Sequence, residues 1–141
     1  MKEKVDVLVA TYNGEKYLRE QLDSIIKQTY KNIRILISDD CSKDKTVSII
    51  EEILETYGGP HEVFFNKNPI NQGLIKHINL VNNLVDTELL IIAAGDDISH
   101  SNRVTETIEA YRLAEQQPTS VYSSVNKITP DGELLDIFIP P

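Results

Sequence analysis

The sequence predicts an α/β fold: a mostly parallel, Rossmann-like sheet flanked by helices, with a β-hairpin near the C-terminus. Short runs of apolar residues alternate with amphipathic stretches at helical spacing, and the loops between them are short. This alternation gives parallel strands joined by right-handed crossovers. After Asn126 the alternation stops, and the turn at Pro130-Asp131-Gly132 predicts a hairpin.

Five strands are predicted, each a short run of apolar and β-branched residues. The first is interrupted only by Asp6, which is typical of a strand buried on both faces of a sheet. Each of the first four strands is followed by a stretch long enough for one helix. The predicted strands are Val5–Ala10, Ile33–Ser38, Glu62–Asn66, Glu88–Ala94 and Val121–Val125.

Four helices are predicted between these strands, because apolar residues recur there every three or four positions. Asn13 is suited to cap the first helix, and either Ser42 or Asp44 to cap the second. The residues predicted to face the sheet are Leu18, Leu22, Ile25 and Ile26 in the first helix, Val47, Ile50, Ile53, Leu54 and Tyr57 in the second, Leu74, Ile78, Val81 and Val85 in the third, and Val104, Ile108 and Tyr111 in the fourth.

Composition limits the classes of protein to consider. The 141 residues are enough for one domain with a real core. The net charge of −8, with no basic stripe, argues against nucleic acid as a partner. The single cysteine, Cys41, fits a reducing compartment. No apolar run approaches the ~20 residues that span a bilayer, so we expect a soluble cytoplasmic protein.

Two aspartate pairs are the most informative feature. Asp39-Asp40 and Asp96-Asp97 each stand at the carboxyl end of a predicted strand. Ligands of open α/β sheets bind at that edge, near the point where the strand order reverses. A carboxylate pair there can hold a divalent cation, or accept hydrogen bonds from a base or a ribose. Asp40 in particular is placed to accept the imino N–H of a uracil or thymine ring.

Three further segments carry candidate ligand contacts. Thr11, Tyr12 and Asn13 follow the first strand and could form one wall of a base pocket, although this segment alone favours a helix cap beside a core tyrosine. Gly73 precedes the third helix and allows a close backbone approach or a positive φ. Lys76 lies one turn further on, where it either reaches a phosphate or is an ordinary exposed lysine.

The second aspartate pair favours a metal. Mn²⁺ and Mg²⁺ are often shared between one or two carboxylates and the phosphates of a substrate. Asp96 and Asp97 would repel each other at a buried strand end unless a cation compensates. The histidines lack a motif partner: His61 and His77 are expected on the surface or in helix packing, and His100 in solvent.

Taken together, the motifs resemble the N-terminal, nucleotide-binding half of family 2 glycosyltransferases, which have the GT-A fold. The resemblance is greatest to bacterial members that build surface polysaccharides. It extends over nearly the whole chain, and the motifs occur in the order of the family. They are Thr11-Tyr12-Asn13, Gln28-Thr29-Tyr30, Asp39-Asp40 with Ser42, Asp44 and Thr46, Asn71 with Gly73, and Asp96-Asp97-Ile98.

The resemblance implies a role for each matching residue. Ala10, Thr11 and Tyr12 would line the nucleoside pocket, and Asp40 would hydrogen-bond the uracil or thymine. Asp96 would contact the ribose or sugar side of the donor, and Asp97 would bind Mn²⁺ or Mg²⁺ on the diphosphate. Asn13, Gly73 and Lys76 complete the candidate nucleotide-binding set. The implied reaction is metal-dependent, inverting transfer from a UDP- or dTDP-sugar to a saccharide or lipid-linked acceptor.

The sequence also departs from the family pattern. Ala94 stands where related sequences often carry a further acid, and Ile78 where many carry an arginine. The family places its catalytic base in a C-terminal half that has no counterpart in this chain. We therefore expect residues 1–141 to form one truncated GT-A domain without a catalytic residue, inactive by itself. Peripheral attachment of the full-length protein to the inner face of the cytoplasmic membrane is a further expectation.

Three alternative classes of protein share some of these features. A receiver domain needs an acidic pair after the first strand, which here ends in Ala10-Thr11-Tyr12-Asn13. A dinucleotide-binding domain needs a Gly-x-Gly-x-x-Gly turn after the same strand, and there is none. A nucleotide-sugar-binding module without turnover would share every residue named above, so the sequence leaves that alternative open.

Overall fold

The computed structural model describes residues 3–140 of the chain. They fall into two compact units, the first ending at Asn102 and the second beginning at Arg103. The first unit alternates strands and helices as the sequence predicts. Its elements are β1 (Val5–Thr11), α1 (Leu18–Ile26), β2 (Ile33–Asp39), α2 (Thr46–Thr56), β3 (Glu62–Lys67), α3 (Leu74–Asn82) and β4 (Leu89–Ala94).

The four strands form one parallel sheet in the order β3-β2-β1-β4. The predicted parallel sheet is therefore confirmed. The chain moves outwards in one direction from β1 to β3, and then crosses back to place β4 on the other side of β1. Because such crossovers are right-handed, α1 and α2 lie on one face of the sheet and α3 on the other. The order reverses between β1 and β4, and this reversal marks the expected binding crevice.

Both faces of the central strands are buried. Leu8 of β1 and Leu36 of β2 form a cluster with Val81 of α3, and all three are at most 1% exposed. Val7 and Ile35 point to the opposite face, since side chains alternate along a strand, and they are fully buried as well. This two-sided burial explains why the sequence of β1 is almost continuously apolar.

Helix α3 differs from its prediction at its first turn. Leu74 was expected to face the sheet but is 71% exposed, whereas His77 is only 2% exposed. The helix begins beside Asp40, the first residue beyond β2, so its first turn has no strand beneath it. Ile78 and Val85 pack as predicted against the cluster around Val81.

The predicted caps of the first two helices are also revised. Helix α1 begins only after Tyr17, and Asn13 lies four residues earlier with a positive φ of 49°. Asn13 is therefore not a helix cap. The carboxylate of Asp44 accepts the N–H of Thr46, the first residue of α2, so of the two candidates at this helix Asp44 bonds the first turn.

The second unit contains α4 (Arg103–Leu113) and an antiparallel hairpin of β5 (Val125–Ile128) and β6 (Leu134–Phe138). The hairpin is confirmed, and Gly132 enters its turn with a φ of 87°. The predicted strand at Val121–Val125 is wrong: residues 121–124 adopt no strand conformation, and pairing begins at Val125. An apolar run forms a strand only where a neighbour can pair with it, and here that neighbour is β6. No helix within residues 3–140 is long and apolar enough to cross a membrane.

A buried ion pair lies near the amino ends of β1 and β2. Asp6 is fully buried, and its carboxylate accepts hydrogen bonds from Arg34 Nε at 2.9 Å and Nη2 at 2.6 Å. The backbone N–H of Asp86 donates a further bond of 2.8 Å. Burial raises the pKa of Asp6, but these hydrogen bonds and the charge of Arg34 lower it more, so the net shift is downwards. The pair joins the first two strands to the loop that precedes β4.

Candidate functional site

The strand register brings both aspartate pairs to one edge of the sheet. Thr11 at the end of β1 pairs with Asp39 at the end of β2, and Ala10 pairs with Ala94 at the end of β4. Because β1 lies between β2 and β4, the two pairs stand on either side of it, about 10 Å apart at two strand spacings. The expectation of one composite site at this edge is thus supported by the topology.

The loops after β1 and β2 are joined by hydrogen bonds. The Asp40 N–H donates to Thr11 O at 3.0 Å, and the Asn13 N–H donates to Ser42 Oγ at 2.8 Å. Asn13 Oδ1 in turn accepts the N–H of Lys43 at 2.8 Å. Asn13 therefore connects the two loops through both its backbone and its side chain.

In the next residues of these two loops, a carboxylate of each loop accepts a backbone N–H group of the other. Asp44 accepts the N–H of Glu15 at 3.1 Å, and Glu15 accepts the N–H of Lys45 at 2.9 Å. The Gly14 N–H donates to Thr46 Oγ1 at 2.8 Å. Partial burial raises the pKa of Asp44, but its hydrogen bonds from Thr46 and Glu15 outweigh this and lower it. The edge of the sheet is therefore a fixed surface, with the loops held in place.

The two members of the first aspartate pair have different partners. Asp39 is 1% exposed and turns back to Ser42, accepting its N–H at 2.9 Å and its hydroxyl in a short contact. Asp40 is 2% exposed and accepts three hydrogen bonds from the segment that precedes α3. The donors are Asn68 Nδ2 at 2.8 Å, Gln72 N at 2.9 Å and Gly73 N at 2.9 Å.

These contacts give Asp40 a structural role beside the predicted one. Burial raises the pKa of Asp40, and the hydrogen bonds from Asn68, Gln72 and Gly73, together with the charge of His77, lower it further than burial raises it. A carboxylate has about four acceptor sites, so three bonds leave room for one more. Contact between Asp40 and a base stays a prediction.

Gly73 is needed for its backbone conformation. Its φ of 77° and ψ of 157° lie in a region open essentially only to glycine. A Cβ there would meet no heavy atom within 4 Å, so space is not the constraint. The Gly73 carbonyl accepts the first helical hydrogen bond of α3, from His77 N. Lys76 is exposed on this first turn, and its predicted contact with a phosphate stays a prediction.

The end of β1 supplies a buried hydroxyl and an exposed ring. Thr11 is 5% exposed, and its Oγ1 has no hydrogen-bond partner within residues 3–140. Tyr12 is 52% exposed, which excludes the alternative of a core tyrosine. Ala10 is half-buried beside them. The end of β1 therefore holds a buried, unpartnered hydroxyl close to Gly95 and an exposed aromatic ring, at the point where the strand order reverses between β1 and β4.

Gly95 allows the loop after β4 to approach β1. A Cβ at Gly95 would lie 3.0 Å from Ala10 O and 3.2 Å from Thr11 Oγ1. We expect Gly95→Ala to lower the free energy of unfolding by roughly 1–2 kcal/mol. The new Cβ would crowd the carbonyl oxygen of Ala10, which belongs to the backbone of β1 and can move little. Urea denaturation measures this change.

Gly58→Ala is the matched control, since a Cβ there meets nothing within 4 Å and its φ is not positive. We expect this variant to be neutral or slightly stabilised. An equal loss of stability in both variants would contradict a specific close approach at Gly95.

Asp96 and Asp97 differ from the first pair because they are exposed. Because water solvates both carboxylates, their mutual repulsion does not by itself require a compensating cation. Neither side chain bonds to another described residue, and residues 3–140 contain no cluster of three or more His, Cys, Asp or Glu that could hold a metal. Two open carboxylates fit the type of Mg²⁺ or Mn²⁺ site in which substrate phosphates and water complete the shell.

The segment after Asp97 is anchored by residues for which no contact with it was predicted. Gln28 is 2% exposed, and its Nε2 donates to His100 O at 2.7 Å. The Thr29 N–H donates to Ser101 O at 2.8 Å. Ser24 Oγ accepts the N–H of Ser99 at 3.0 Å. The motif Gln28-Thr29 thus fixes the loop that carries the second aspartate pair.

Two of the histidines are buried. His61 and His77 are 6% and 2% exposed, so the surface alternative is wrong for both, and His77 lies on the inward face of α3 as the helix-packing alternative predicts. Burial lowers the pKa of His61. His77 Nε2 lies 2.8 Å from Ser38 Oγ, a polar partner that the sequence did not reveal. His100 is exposed as expected.

A parallel sheet whose order reverses beside the site, followed by an antiparallel hairpin, is the arrangement of the GT-A fold. The chain belongs to the family described as glycosyl transferase family 2, whose model matches residues 6–131. An uncharacterized glycosyltransferase of Rickettsia typhi is 30% identical over 137 residues, covering 97% of this chain and 41% of that protein.

Two further comparisons are with proteins whose descriptions name dTDP-rhamnosyl transfer or bound UDP. The dTDP-rhamnosyl transferase RfbG of Shigella flexneri is 34% identical over 107 residues, covering 72% of this chain and 36% of that protein. The crystal structure of S. aureus TarS in complex with UDP is 27% identical, with a TM-score of 0.66 over 77% of this chain and 33% of that one. The chain thus spans less than half the length of the relatives it matches.

Proposed function

We propose that this chain is the donor-binding part of a glycosyltransferase that uses a UDP- or dTDP-linked sugar. The observation that carries the proposal is the crevice between β1 and β4. There a buried, unpartnered Thr11 hydroxyl and the exposed Tyr12 ring stand beside the open carboxylates of Asp96 and Asp97. The relatives that use dTDP-rhamnose and bind UDP support this choice of donor.

The polar groups suggest how a nucleotide would lie. Tyr12 and Ala10 would form the wall against the nucleoside, with Thr11 lining the pocket behind them. Asp40 would accept the imino N–H of the base through its remaining acceptor site. Asp96 would face the ribose or sugar, with Asn13, Gly73 and Lys76 around the bound donor. The hydrogen-bonded loops hold these groups before a ligand arrives.

Asp97, with Asp96 beside it, would hold Mn²⁺ or Mg²⁺ on the diphosphate. A metal bound there neutralises charge on the departing nucleoside diphosphate. Ala94 leaves the set with two carboxylates, so affinity should depend strongly on the diphosphate itself. Inverting transfer also needs a base on the acceptor hydroxyl. We assign no residue of this chain to that role, and we place the base and the saccharide or lipid-linked acceptor with a further part of the full-length protein.

Calorimetric titration with UDP and dTDP, with and without Mn²⁺, tests the proposal. We expect Mn²⁺ to increase UDP affinity about tenfold or more, which corresponds to ~1.4 kcal/mol. Asp97→Asn should lose this increase and keep the metal-free affinity. Glu88→Gln is the matched control, because it removes an exposed carboxylate just before the other end of β4.

The possible failures are distinct. Equal affinity with and without Mn²⁺ would show that the metal assignment to Asp97 is wrong. No binding of either nucleotide would overturn the donor-binding proposal itself. Transfer of sugar to an acceptor by residues 1–141 alone would show that the base lies within this chain. Tight donor binding without transfer by the full-length protein would favour a module without turnover.

A further inference from the structure

Helix α3 has a buried polar anchor on its inward face. His77 is 2% exposed, and its Nε2 lies 2.8 Å from the hydroxyl of Ser38, which is fully buried in β2. The same hydroxyl oxygen accepts a hydrogen bond of 2.9 Å from Asn66 Nδ2 in β3. One helix and two strands therefore meet at Ser38 Oγ, directly below the candidate site.

The chain of hydrogen bonds continues to Asp40. Asn66 Nδ2 also donates to Asn68 Oδ1 at 3.0 Å, and Asn68 Nδ2 donates to Asp40 Oδ1 at 2.8 Å. Asp40 then holds the N–H groups of Gln72 and Gly73, each at 2.9 Å. The network is closed, because the Gly73 carbonyl accepts the backbone N–H of His77.

The bonding capacity of each group fits this order. The amide nitrogen of Asn66 has two hydrogens, and both are used. Ser38 Oγ accepts one of them and can donate its own hydrogen to the imidazole of His77 or accept from it. A buried hydroxyl or imidazole that loses its partner loses a full hydrogen bond without replacement by water. The ring of bonds is therefore sensitive to loss of any one member.

We propose that His77 is a positioning residue, which sets the orientation of Asp40 and of the segment from Asn68 to Gly73 through Ser38 and Asn66. His77 does not touch the donor in this proposal. It fixes the start of α3, and with it the conformation of Gly73 and the place of Lys76. The consequence for nucleotide affinity rests on the proposed function, whereas the consequence for the free protein does not.

Amide hydrogen exchange measured by NMR on the nucleotide-free chain tests the proposal. His77→Leu should speed exchange at the N–H groups of Gln72 and Gly73 about tenfold or more, the factor for one hydrogen bond of ~1.4 kcal/mol. His77→Gln, which can again bond Ser38, should restore slow exchange. Ser38→Ala should speed exchange at these two amides as much as His77→Leu does. Exchange in the double variant should be no faster than in either single variant.

Val81→Ala is the matched control, because Val81 is equally buried one turn further along α3 but outside the network. It should lower overall stability without selectively speeding exchange at Gln72 and Gly73. Unchanged exchange at these two amides in folded His77→Leu would overturn the proposal, as would an equal effect of Val81→Ala. If His77→Leu fails to fold, failure of His77→Gln to protect the two amides would overturn it.

A second measurement separates this proposal from the proposed function. UDP affinity should fall about tenfold in His77→Leu and recover in His77→Gln, by the same hydrogen-bond factor. If neither the wild type nor any variant binds UDP, the proposed function is wrong. Faster amide exchange confined to Gln72 and Gly73 in His77→Leu would still support the positioning role. If UDP binds equally to the wild type and His77→Leu, the positioning of the binding site by His77 is wrong.

Discussion

Replacing Asp40 by asparagine is expected to lower the free energy of unfolding by about 3 kcal/mol and to release the segment before α3. Both carboxylate oxygens accept hydrogen bonds, Oδ1 from Asn68 and Gln72 and Oδ2 from Gly73. An asparagine of the same shape must turn its NH₂ group towards one of these donors. One side of the contact is then repulsive, whichever way the amide is oriented.

The measurement is urea denaturation together with amide exchange at Gln72 and Gly73. Asp23→Asn serves as the control, because it removes an exposed carboxylate that pairs with Lys27, the residue directly after the same helix, and should cost no more than about 0.5 kcal/mol. If Asp40 only contacted the base of the donor, the variant would bind nucleotide less tightly and keep its stability. That outcome would show that the three hydrogen bonds are unimportant.

Removing the carboxylate of the buried ion pair is expected to have an equal or larger effect. Asp6→Asn should cost roughly 3–5 kcal/mol, because it leaves the charge of Arg34 without its partner. Arg34 is 13% exposed in this pair, whereas both side chains of the Arg19–Glu52 pair are more than half exposed. Glu52→Gln is therefore the control, with an expected loss of at most about 1 kcal/mol. Equal losses in the two variants would contradict a special role for burial.

The same pair predicts how stability depends on pH. The pKa of Asp6 in the folded chain lies below its ordinary value of 3.8. Its contribution is therefore complete above that value and is lost as the pH falls through the folded pKa. Asp40 and Asp44 have shifts of the same sign. Wild-type stability should thus fall between about pH 5 and pH 2, and Asp6→Asn should show a shallower fall.

The sheet could be predicted from the sequence because strands that are buried on both faces appear as nearly continuous runs of apolar residues. The first four strands were placed correctly to within one residue at each end, and their parallel order followed from the helices between them. The run Val121–Val125 carries two serines and is buried on neither face, and only its last residue, Val125, pairs with another strand. A pattern along the chain cannot report whether a partner strand is present.

The candidate site was predicted in its position but not in its internal contacts. Strand ends and adjacent acids are visible along the chain, so Asp40 and Asp97 could be named. The contacts of Asp40 with Gln72 and Gly73 join residues more than thirty positions apart. The bond between His77 and Ser38 likewise depends on the packing of a helix on a strand. Only the unusual choice of a histidine on an apolar helix face offered a signal for it.

The hydrogen bonds that join the loops after β1 and β2 divide the site into two kinds of position. At Asn13, Asp40 and Asp44, side chains hold backbone N–H groups, so a change of donor preference attempted there also alters folding. The side chain of Tyr12 is exposed and holds no backbone N–H group within residues 3–140. Directed evolution of nucleotide selectivity in this domain therefore has its freest positions along the crevice between β1 and β4, while the β2 side is constrained by the stability of the fold.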